Sequence, residues 1–163
     1  MGEASQGGDH GQRLGERAPA FLLAQVGAHA AARFAARLEP LDLTPAHAGA
    51  IRVLALSPGI SQRELSDRLG LSPSRLVGLL DQLERRGLVE RRSDADDRRN
   101  HALHLTPAGT DTLRAIGRIA VEHQDEMCRS LGGEERATLA RLLDRIASDH
   151  GLTPGVHPGY RQM

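Results

Sequence analysis

Aromatic residues and cysteine are scarce in this sequence of 163 residues. Two phenylalanines, one tyrosine and no tryptophan argue against a sheet that stacks nucleic-acid bases on rings, and against a large aromatic ligand cage. The single cysteine, Cys128, excludes an internal disulfide and a zinc site made of four cysteines. We expect this thiol to be half-buried and inert, late in a long helix.

Long hydrophobic runs are also missing, so no segment of the sequence is suited to crossing a membrane. The N-terminal residues are polar and rich in glycine, and they lack the apolar stretch of a signal peptide. We therefore expect a soluble, cytoplasmic protein with no membrane partner. Residues 1–17 are expected to form a disordered tail.

Lysine is absent, and the basic residues are 21 arginines that balance 21 acidic residues. A net charge of zero excludes binding to polyanions through bulk charge. A local basic surface is still compatible with this balance, because a charge acts within about a Debye length, ~8–10 Å.

No group of residues indicates catalysis or a bound cofactor. Gly7, Gly8 and Gly11 do not form a phosphate-binding loop, because no strand–helix unit follows them. Asp96 and Asp97 lie in a charged loop where nothing would raise a carboxyl pKa. The histidines do not have the spacing of a zinc site, so we expect neither an enzyme nor a metal protein.

Helix signals occupy most of the remaining sequence. A stripe of small and apolar residues predicts a first helix from Pro19 to about Glu39. Three further helix starts are predicted by Thr44-Pro45, by a capping box from Ser61 to Glu64, and by Ser72-Pro73. The last two helices are short and separated by a tight turn at Gly70, which is the helix-turn-helix pattern.

A short β-hairpin is predicted directly after the helix-turn-helix. Residues 88–93 and 101–105 have strand character, and the charged segment 94–100 joins them. A hairpin in this position is a wing. Thr106-Pro107 then starts a long helix to about Leu131, and a last helix runs from Glu134 to about His150. The predicted fold is mainly α-helical with a small β-hairpin wing.

Three segments resemble the MarR family of winged helix-turn-helix regulators: LTPAHAGAIRVLAL (43–56), SQRELSDRLGLSPSRLVGLLDQLERRGLVERR (61–92) and DADDRRNHALHLTPAG (94–109). The resemblance covers roughly residues 19–150. It implies a homodimer in which the first helix and the last two helices form the interface, while two winged domains reach palindromic duplex DNA.

The resemblance divides residues 18–150 into functional parts. Residues 18–40 and 107–150 are expected to form the dimerisation helices, and residues 43–105 the DNA-binding lobe. Residues 151–163 form a C-terminal tail, which is either a disordered end or a strap across the partner subunit.

Candidate DNA contacts lie on the exposed face of the second motif helix, at the start of the first, and on the wing. Arg75 lies in the first turn, where the helix dipole disfavours a cation, so phosphate or a guanine edge would be a suitable partner. Gly78 would let the helix approach the groove floor, and Val77 could touch a thymine methyl. The full set is Ser61, Gln62, Arg63, Ser72, Pro73, Ser74, Arg75, Val77, Gly78, Arg85, Arg92, Asp97, Arg98 and Arg99.

Each of these assignments has a simpler alternative. Arg75 could be solvated beside an acid such as Asp97, and Gly78 could be a neutral surface position. For Ser72, capping the helix is the favoured role. Family resemblance implies that Arg99 enters the minor groove and that Asp97 orients it, whereas charge runs are ordinarily solvated.

A second candidate site concerns a small anionic or phenolic effector. The resemblance implies that such compounds bind where the helices meet the DNA-binding lobe, and His29, Arg33, His47 and Arg52 could hold a carboxylate there. The alternative, slightly favoured, is that these residues contact acidic residues of the partner chain.

The sequence leaves three classes of function. The favoured one is a homodimeric repressor that binds a palindromic operator and is released by a small molecule. The second is a winged-helix regulator or architectural DNA-binding protein with no effector. The third, a protein-interaction module, would be expected to carry acids in place of Arg75, Arg98 and Arg99, and the sequence retains all three arginines.

Overall fold

A computed structural model describes residues 18–93, 101–157 and 160. Over these residues the chain forms six α-helices and three short strands: α1 (Pro19–Leu38), α2 (Pro45–Leu56), β1 (Ile60–Ser61), α3 (Gln62–Leu69), α4 (Pro73–Arg85), β2 (Val89–Ser93), β3 (His101–Leu105), α5 (Pro107–Met127) and α6 (Gly133–Asp149). The predicted tail 1–17 and the predicted wing loop 94–100 lie outside the described residues. No described helix is long and apolar enough to cross a membrane.

The predicted helix starts are found, with one difference in capping. Thr44 and Ser61 each close a capping box, with His47 and Glu64 as the respective partners. Ser72 occupies the N-cap position of α4, but its side chain makes no capping hydrogen bond. Its hydroxyl instead lies 3.3 Å from the hydroxyl of Ser74, so the expected side-chain cap is wrong.

The end of α5 also differs from the prediction. The helix ends at Met127 rather than near Leu131, because the chain turns at once and the Leu131 amide bonds to the Cys128 carbonyl. The guanidinium of Arg136 in α6 then donates to the Cys128 and Leu131 carbonyls, each at 3.1 Å. Cys128 is half-buried, as expected.

The wing contains one strand more than the sequence predicted. Strand β3 pairs antiparallel with β2, with Arg91 opposite Leu103, and on its other side pairs with the two residues of β1. The order in the sheet is therefore β1-β3-β2. So short a strand has no detectable periodicity, and the sequence indicated only the cap at Ser61.

We call residues Leu43–Leu105 the winged lobe and α1, α5 and α6 the arms. The lobe contains most of the apolar core, in which Leu54, Leu65, Leu80, Leu83 and Leu103 are fully buried. Leu38 of α1 and Ile116 of α5 complete the same cluster. The arms bury much less: Leu38 is the one buried residue of α1, and α6 has none over its described length.

Helix α2 packs directly on α5, and two hydrogen-bonded junctions also attach the lobe to the arms. At the first, the Arg86 guanidinium at the end of α4 donates to the carbonyls of Leu41 and Asp42 in the turn that follows α1. At the second, the Thr106 hydroxyl donates to the Gly87 carbonyl at 2.6 Å. Gly109 leaves no room for a side chain there, because a Cβ would overlap the Leu88 carbonyl.

Candidate nucleic-acid interface

Helix α4 has one buried face and one exposed face. Leu76, Leu79, Leu80 and Leu83 pack into the core of the lobe. The opposite side presents Ser74, Arg75, Val77 and Gly78 to solvent, and Val77 is 44% exposed although it is apolar. This is the face that the sequence predicted for DNA contact.

The beginning of α3 lies beside this exposed face. A surface cavity of about 430 Å³ between α3 and α4 is lined by Gln62, Arg63, Pro73 and Val77, among others. Arg63 is exposed, while Ser61 and Gln62 are partly exposed. The structure therefore brings the predicted contacts of α3 and α4 together on one surface, where hydroxyls, an amide and arginines can meet phosphates and base edges.

Gly78 lies in the middle of this surface. A Cβ at this position would have no atom within 4 Å. The fold of the chain does not require glycine here, since it supplies neither a turn nor an internal close approach. Because glycine has no side chain, it leaves a shallow depression in the outward face of α4.

The arginines around the end of α4 and on β2 divide into two groups. Arg86 is engaged at the lobe–arm junction, and Arg91 bridges Asp81 at 2.9 Å and Glu84 at 3.2 Å. Arg85 and Arg92 are exposed, although Arg85 donates to the Asp81 carbonyl and Arg92 pairs with Glu90. The second group contains the two arginines that the sequence placed in the DNA surface.

The described part of the wing is the antiparallel pair of β2 and β3. Its outermost pair in the ladder is Ser93 opposite His101, with Arg92 opposite Ala102 one step inward. Asp97, Arg98 and Arg99 lie outside the described residues, so their expected roles remain predictions.

His47 joins α2 to the recognition helix α4. Its Nδ1 accepts a hydrogen bond from the Thr44 amide at 3.1 Å, which leaves the proton on Nε2, and Nε2 donates to the Gln82 side-chain oxygen at 2.9 Å. The imidazole is 7% exposed, and burial lowers its pKa. The neutral ring is therefore the form whose hydrogen bonds fit this site. The sequence gives no sign that Gln82 is the partner, because 35 residues separate the two.

The other three residues proposed for effector binding have different surroundings. Arg33 pairs with Glu126 on α5, and His29 lies close enough to His123 to affect its pKa. Arg52 lies against Gly155 near the C-terminus. Of the four residues, only His47 lines the cavity beside α4 described below.

Two arginines of α1 form ion pairs with a glutamate of α5 in the same chain. Arg33 and Arg37 both donate to the Glu126 carboxylate, and hydrogen bonds from Arg37 and then Arg33 lower its pKa to about 2. Beside them, the rings of Phe34 and His123 lie 5.5 Å apart. The favoured expectation for Arg33 was an acid of the partner chain, whereas its ion-pair partner is Glu126 of the same chain.

Comparison with known proteins agrees with this architecture. A sequence model of the MarR family matches residues 41–100. A protein of Thauera aromatica, named as a candidate transcriptional regulatory protein for the hcr operon, is 32% identical over 146 residues, or 89% of this chain and 87% of that protein. The chain belongs to the MarR family.

Solved structures of MarR-family regulators share the fold. CouR, a transcriptional repressor bound to a 23-mer DNA duplex, is 30% identical with a TM-score of 0.72, and the match covers 89% of this chain and 99% of CouR. Apo MarR from E. coli is 25% identical with a TM-score of 0.71, covering 79% of this chain and 96% of MarR. A mutant MarR from E. coli complexed with operator DNA is also 25% identical, with a TM-score of 0.67, covering 87% of this chain and 99% of that one.

The chain is therefore a MarR-family DNA-binding transcriptional regulator with a winged helix-turn-helix fold. MarR-family regulators are not enzymes. The family and the fold class that the sequence predicted are both confirmed.

Proposed function

We propose that this MarR-family regulator is a homodimeric repressor that binds an inverted repeat in duplex DNA and leaves it when a small anionic or phenolic effector binds. The observation that carries the proposal is the exposed face of α4, with Ser74, Arg75, Val77 and Gly78 directed away from the core. It occurs in a chain similar over 89% of its length to a repressor that was solved on DNA.

Exposed apolar side chains on the arms support the homodimer. Helix α1 exposes Phe21, Leu22, Leu23 and Val26, and α6 exposes Leu139, Leu142, Leu143 and Ile146, each by 38% or more. Contiguous apolar faces of this kind mark interfaces, since scattered single residues would need no explanation. A second copy of the chain would cover them and place two lobes side by side.

Two lobes related by a twofold axis would read an inverted repeat. The two α4 helices would enter successive major grooves, so that half-site centres lie about one turn apart, ~10–10.5 bp. Arg75 would contact a guanine edge or phosphate at the entrance of each helix. Arg99 on the wing would enter the minor groove, where a narrow A·T-rich groove concentrates negative potential.

A cavity beside the recognition helix supports the effector. It measures about 680 Å³ and is lined by Glu39, Asp42, Leu43, Thr44, His47, Gln82, Arg85 and Arg86. Arg85 and Arg86 would pair with an anion, and the neutral imidazole would bond to a phenol. Glu39 and Asp42 line the same cavity, so the arginines have acidic neighbours there. Its walls come from α4 and from the turn between α1 and α2, so a compound bound there would act on the junction that holds α4.

The proposal is tested by binding to a library of randomised half-sites at two salt concentrations. Arg75→Ala should cost about 1–3 kcal/mol per half-site and relax the preference at one base pair if the contact is to guanine. A contact to phosphate would instead weaken all sequences equally. Arg99→Ala should weaken sites with A·T-rich flanks most and lower the salt slope by about one phosphate equivalent per subunit.

Arg114→Ala serves as the matched control, because Arg114 is exposed on α5 and pairs with Asp111 in the arms. It should bind like the parent. Footprinting should show a two-part site with inverted symmetry. If Arg75→Ala and Arg99→Ala both bind like the parent, this surface does not bind DNA, and a protein-interaction role would be the better explanation.

Binding of the effector is tested by a separate measurement. Benzoate and salicylate, tested as probes, should release labelled operator DNA from the parent protein at millimolar or lower concentration. His47→Phe should weaken that response, because it removes the ring nitrogen in the cavity. Release by neither probe, nor by a panel of aromatic acids, would favour a regulator without an effector of this class.

A further inference from the structure

The segment after α6 returns to the winged lobe. We call residues 151–157 together with Tyr160 the C-terminal strap. Gly151 adopts a left-handed conformation with φ of 63°, and the Leu152 amide then bonds to the Ala147 carbonyl at 2.9 Å, so the chain leaves the helix in a defined direction. The strap therefore begins on an arm and ends on the lobe.

Tyr160 is the main attachment of the strap. Its side chain is 7% exposed and belongs to the apolar core. The ring lies directly on Gly49 of α2, where an added Cβ would approach the ring carbon Cε2 to 2.7 Å. Gly49 is buried in the middle of a helix, a position where glycine is less favourable than alanine. Room for the tyrosine ring is what the glycine provides.

A second contact lies three residues further along the same face of α2. Gly155, with a left-handed φ of 72°, packs so closely on Arg52 that a Cβ there would overlap the guanidinium. Val156 is partly buried against the core beside these contacts. The strap thus contacts α2 through two glycine-dependent close approaches, one on the helix and one on the strap.

Helix α2 also supports the recognition helix. His47, two residues before Gly49, donates through Nε2 to Gln82 of α4 at 2.9 Å. One helix therefore contacts the strap through Gly49 and Arg52 and contacts α4 through His47. Besides the packing of α2 on α5 and the junctions at Arg86 and at Thr106, the strap is a further connection between the lobe and the arms.

We propose that the C-terminal strap is a latch that holds the winged lobe at a fixed orientation relative to the arms. In the dimer described under the proposed function, on which this consequence rests, that orientation sets the distance between the two α4 helices. Release of the strap removes one of the contacts that fix this orientation, and the regulator then tolerates operators whose half-sites have the wrong spacing.

Intrinsic fluorescence reports the strap directly, because Tyr160 is the one tyrosine of the sequence and there is no tryptophan. Acrylamide should quench Tyr160 weakly in the parent protein without DNA. In Gly49→Ala the new methyl group displaces the ring, and the quenching constant should rise severalfold toward that of free tyrosine amide. Alanine favours the helix, so α2 itself should remain folded, which circular dichroism checks.

The DNA measurement compares an operator of optimal spacing with one that is a base pair longer. Gly49→Ala and Tyr160→Ala should each lower the preference for the optimal spacing by about fivefold, the lower end of typical coupling between sites. Adding Gly49→Ala to Tyr160→Ala should change nothing further, since both remove the same contact. Leu56→Ala is the control, because Leu56 lies on α2 itself, is 73% exposed, and belongs neither to the strap contact nor to the arms.

The outcomes separate the latch from the proposed function. Strong quenching of Tyr160 in the parent would overturn the latch whatever the DNA results. Displacement of the ring in Gly49→Ala without a change in spacing preference would also overturn it. If the parent binds no inverted repeat, the proposed function fails, while the quenching data still determine whether the strap is docked on α2.

Discussion

The winged lobe and the arms differ in how far they bury their apolar side chains. In the lobe, seven of the residues of α2 are buried, including Ile51 and Leu54. In the arms, α1 buries Leu38 alone and α6 buries no residue over its described length, although both carry apolar stripes. The comparison teaches that an amphipathic pattern specifies a helix and a face, but not which surface covers that face.

The arms are incomplete by this criterion, and the lobe is complete. Exposed large apolar residues in the lobe are few and separate: Leu56 at 73% and Val77 at 44%. Among the described residues of the arms, eight of the nine lie on α1 and α6, and the ninth is Val121 on α5. The following predictions test this contrast, beginning with the largest expected effect.

A charge in the arms should dissociate the dimer. Leu142→Glu places a carboxylate on the apolar face of α6, where burying it without a partner should cost at least about 3 kcal/mol, or about a hundredfold in the dimer dissociation constant. Sedimentation at micromolar concentration measures this. Leu56→Glu is the matched control, because Leu56 is exposed on the lobe, and it should remain dimeric. If the parent protein sediments as a stable monomer, the apolar faces of the arms are not covered by a second copy, and the contrast between lobe and arms is wrong.

Truncations in the two regions should differ in their concentration dependence. Leu80→Ala removes a fully buried side chain of the lobe and should lower the free energy of unfolding by about 2–5 kcal/mol at any protein concentration. Leu143 is 39% exposed in a single chain, and the proposed partner chain would cover it. The loss of stability in Leu143→Ala should therefore depend on protein concentration. Chemical denaturation at several concentrations distinguishes them. Equal concentration dependence for both would remove the distinction between lobe and arms.

Acid should weaken the lobe through His47. Burial lowers the pKa of His47 from its usual 6.5, against the opposing hydrogen bond to Gln82, and Arg86 and Asp42 are the charges near it. The unfolded imidazole gains its proton near pH 6.5 while the folded one stays neutral to lower pH. The contribution of the neutral His47 to the free energy of unfolding is therefore complete above pH 6.5, and it is lost as the pH falls through the folded pKa.

The measurement compares the free energy of unfolding at about pH 7.5 and about pH 5.5 for the parent and His47→Gln. On acidification the free energy of unfolding should fall less in the variant than in the parent. The difference between the two should be well below the effect of Leu80→Ala. Burial also lowers the pKa of His123 in the arms, so His123→Gln is measured in parallel. An unchanged acid dependence in His47→Gln would mean that the imidazole titrates freely.

The smallest effect is expected at Gly78 in the DNA surface of the lobe. Gly78→Ala should raise the free energy of unfolding by about 0.5–1 kcal/mol, because alanine favours the helix and the added Cβ meets nothing within 4 Å. Operator affinity should fall, since the methyl group keeps α4 away from the groove floor. Gly133→Ala provides the comparison outside this surface. A more stable variant with unchanged affinity would show that Gly78 is a neutral position.

Local signals predicted the lobe well because each acts over a few residues. The capping box at Ser61 and Glu64 and the leucines of α4 indicated their elements correctly, since a cap or a stripe is contained in one turn or one helix. Strand β1 was not predicted, because its two residues become a strand only by pairing with β3, about forty residues later. The end of α5 was misplaced because Arg136, from the next helix, bonds to the turn carbonyls.

The candidate sites divide in the same way. The exposed face of α4 follows from the positions of its buried leucines, so Ser74, Arg75 and Val77 could be assigned from periodicity. The link from His47 to Gln82, the grip of Arg33 and Arg37 on Glu126, and the position of Tyr160 on Gly49 could not. Each joins residues that are distant in the chain, and side-chain periodicity carries no information about which distant element packs where.

Hydrophobic spacing, caps and the wing motif by themselves determined the helix order, the outward face of α4 and the family, because all three are written in consecutive residues. Only the tertiary structure decided where the C-terminal strap lies. A glycine-containing tail has no periodicity from which its position could be predicted. The space for Tyr160 exists because Gly49, 111 residues earlier, lacks a side chain. That complementarity arises when α2 and the strap come together in the folded chain.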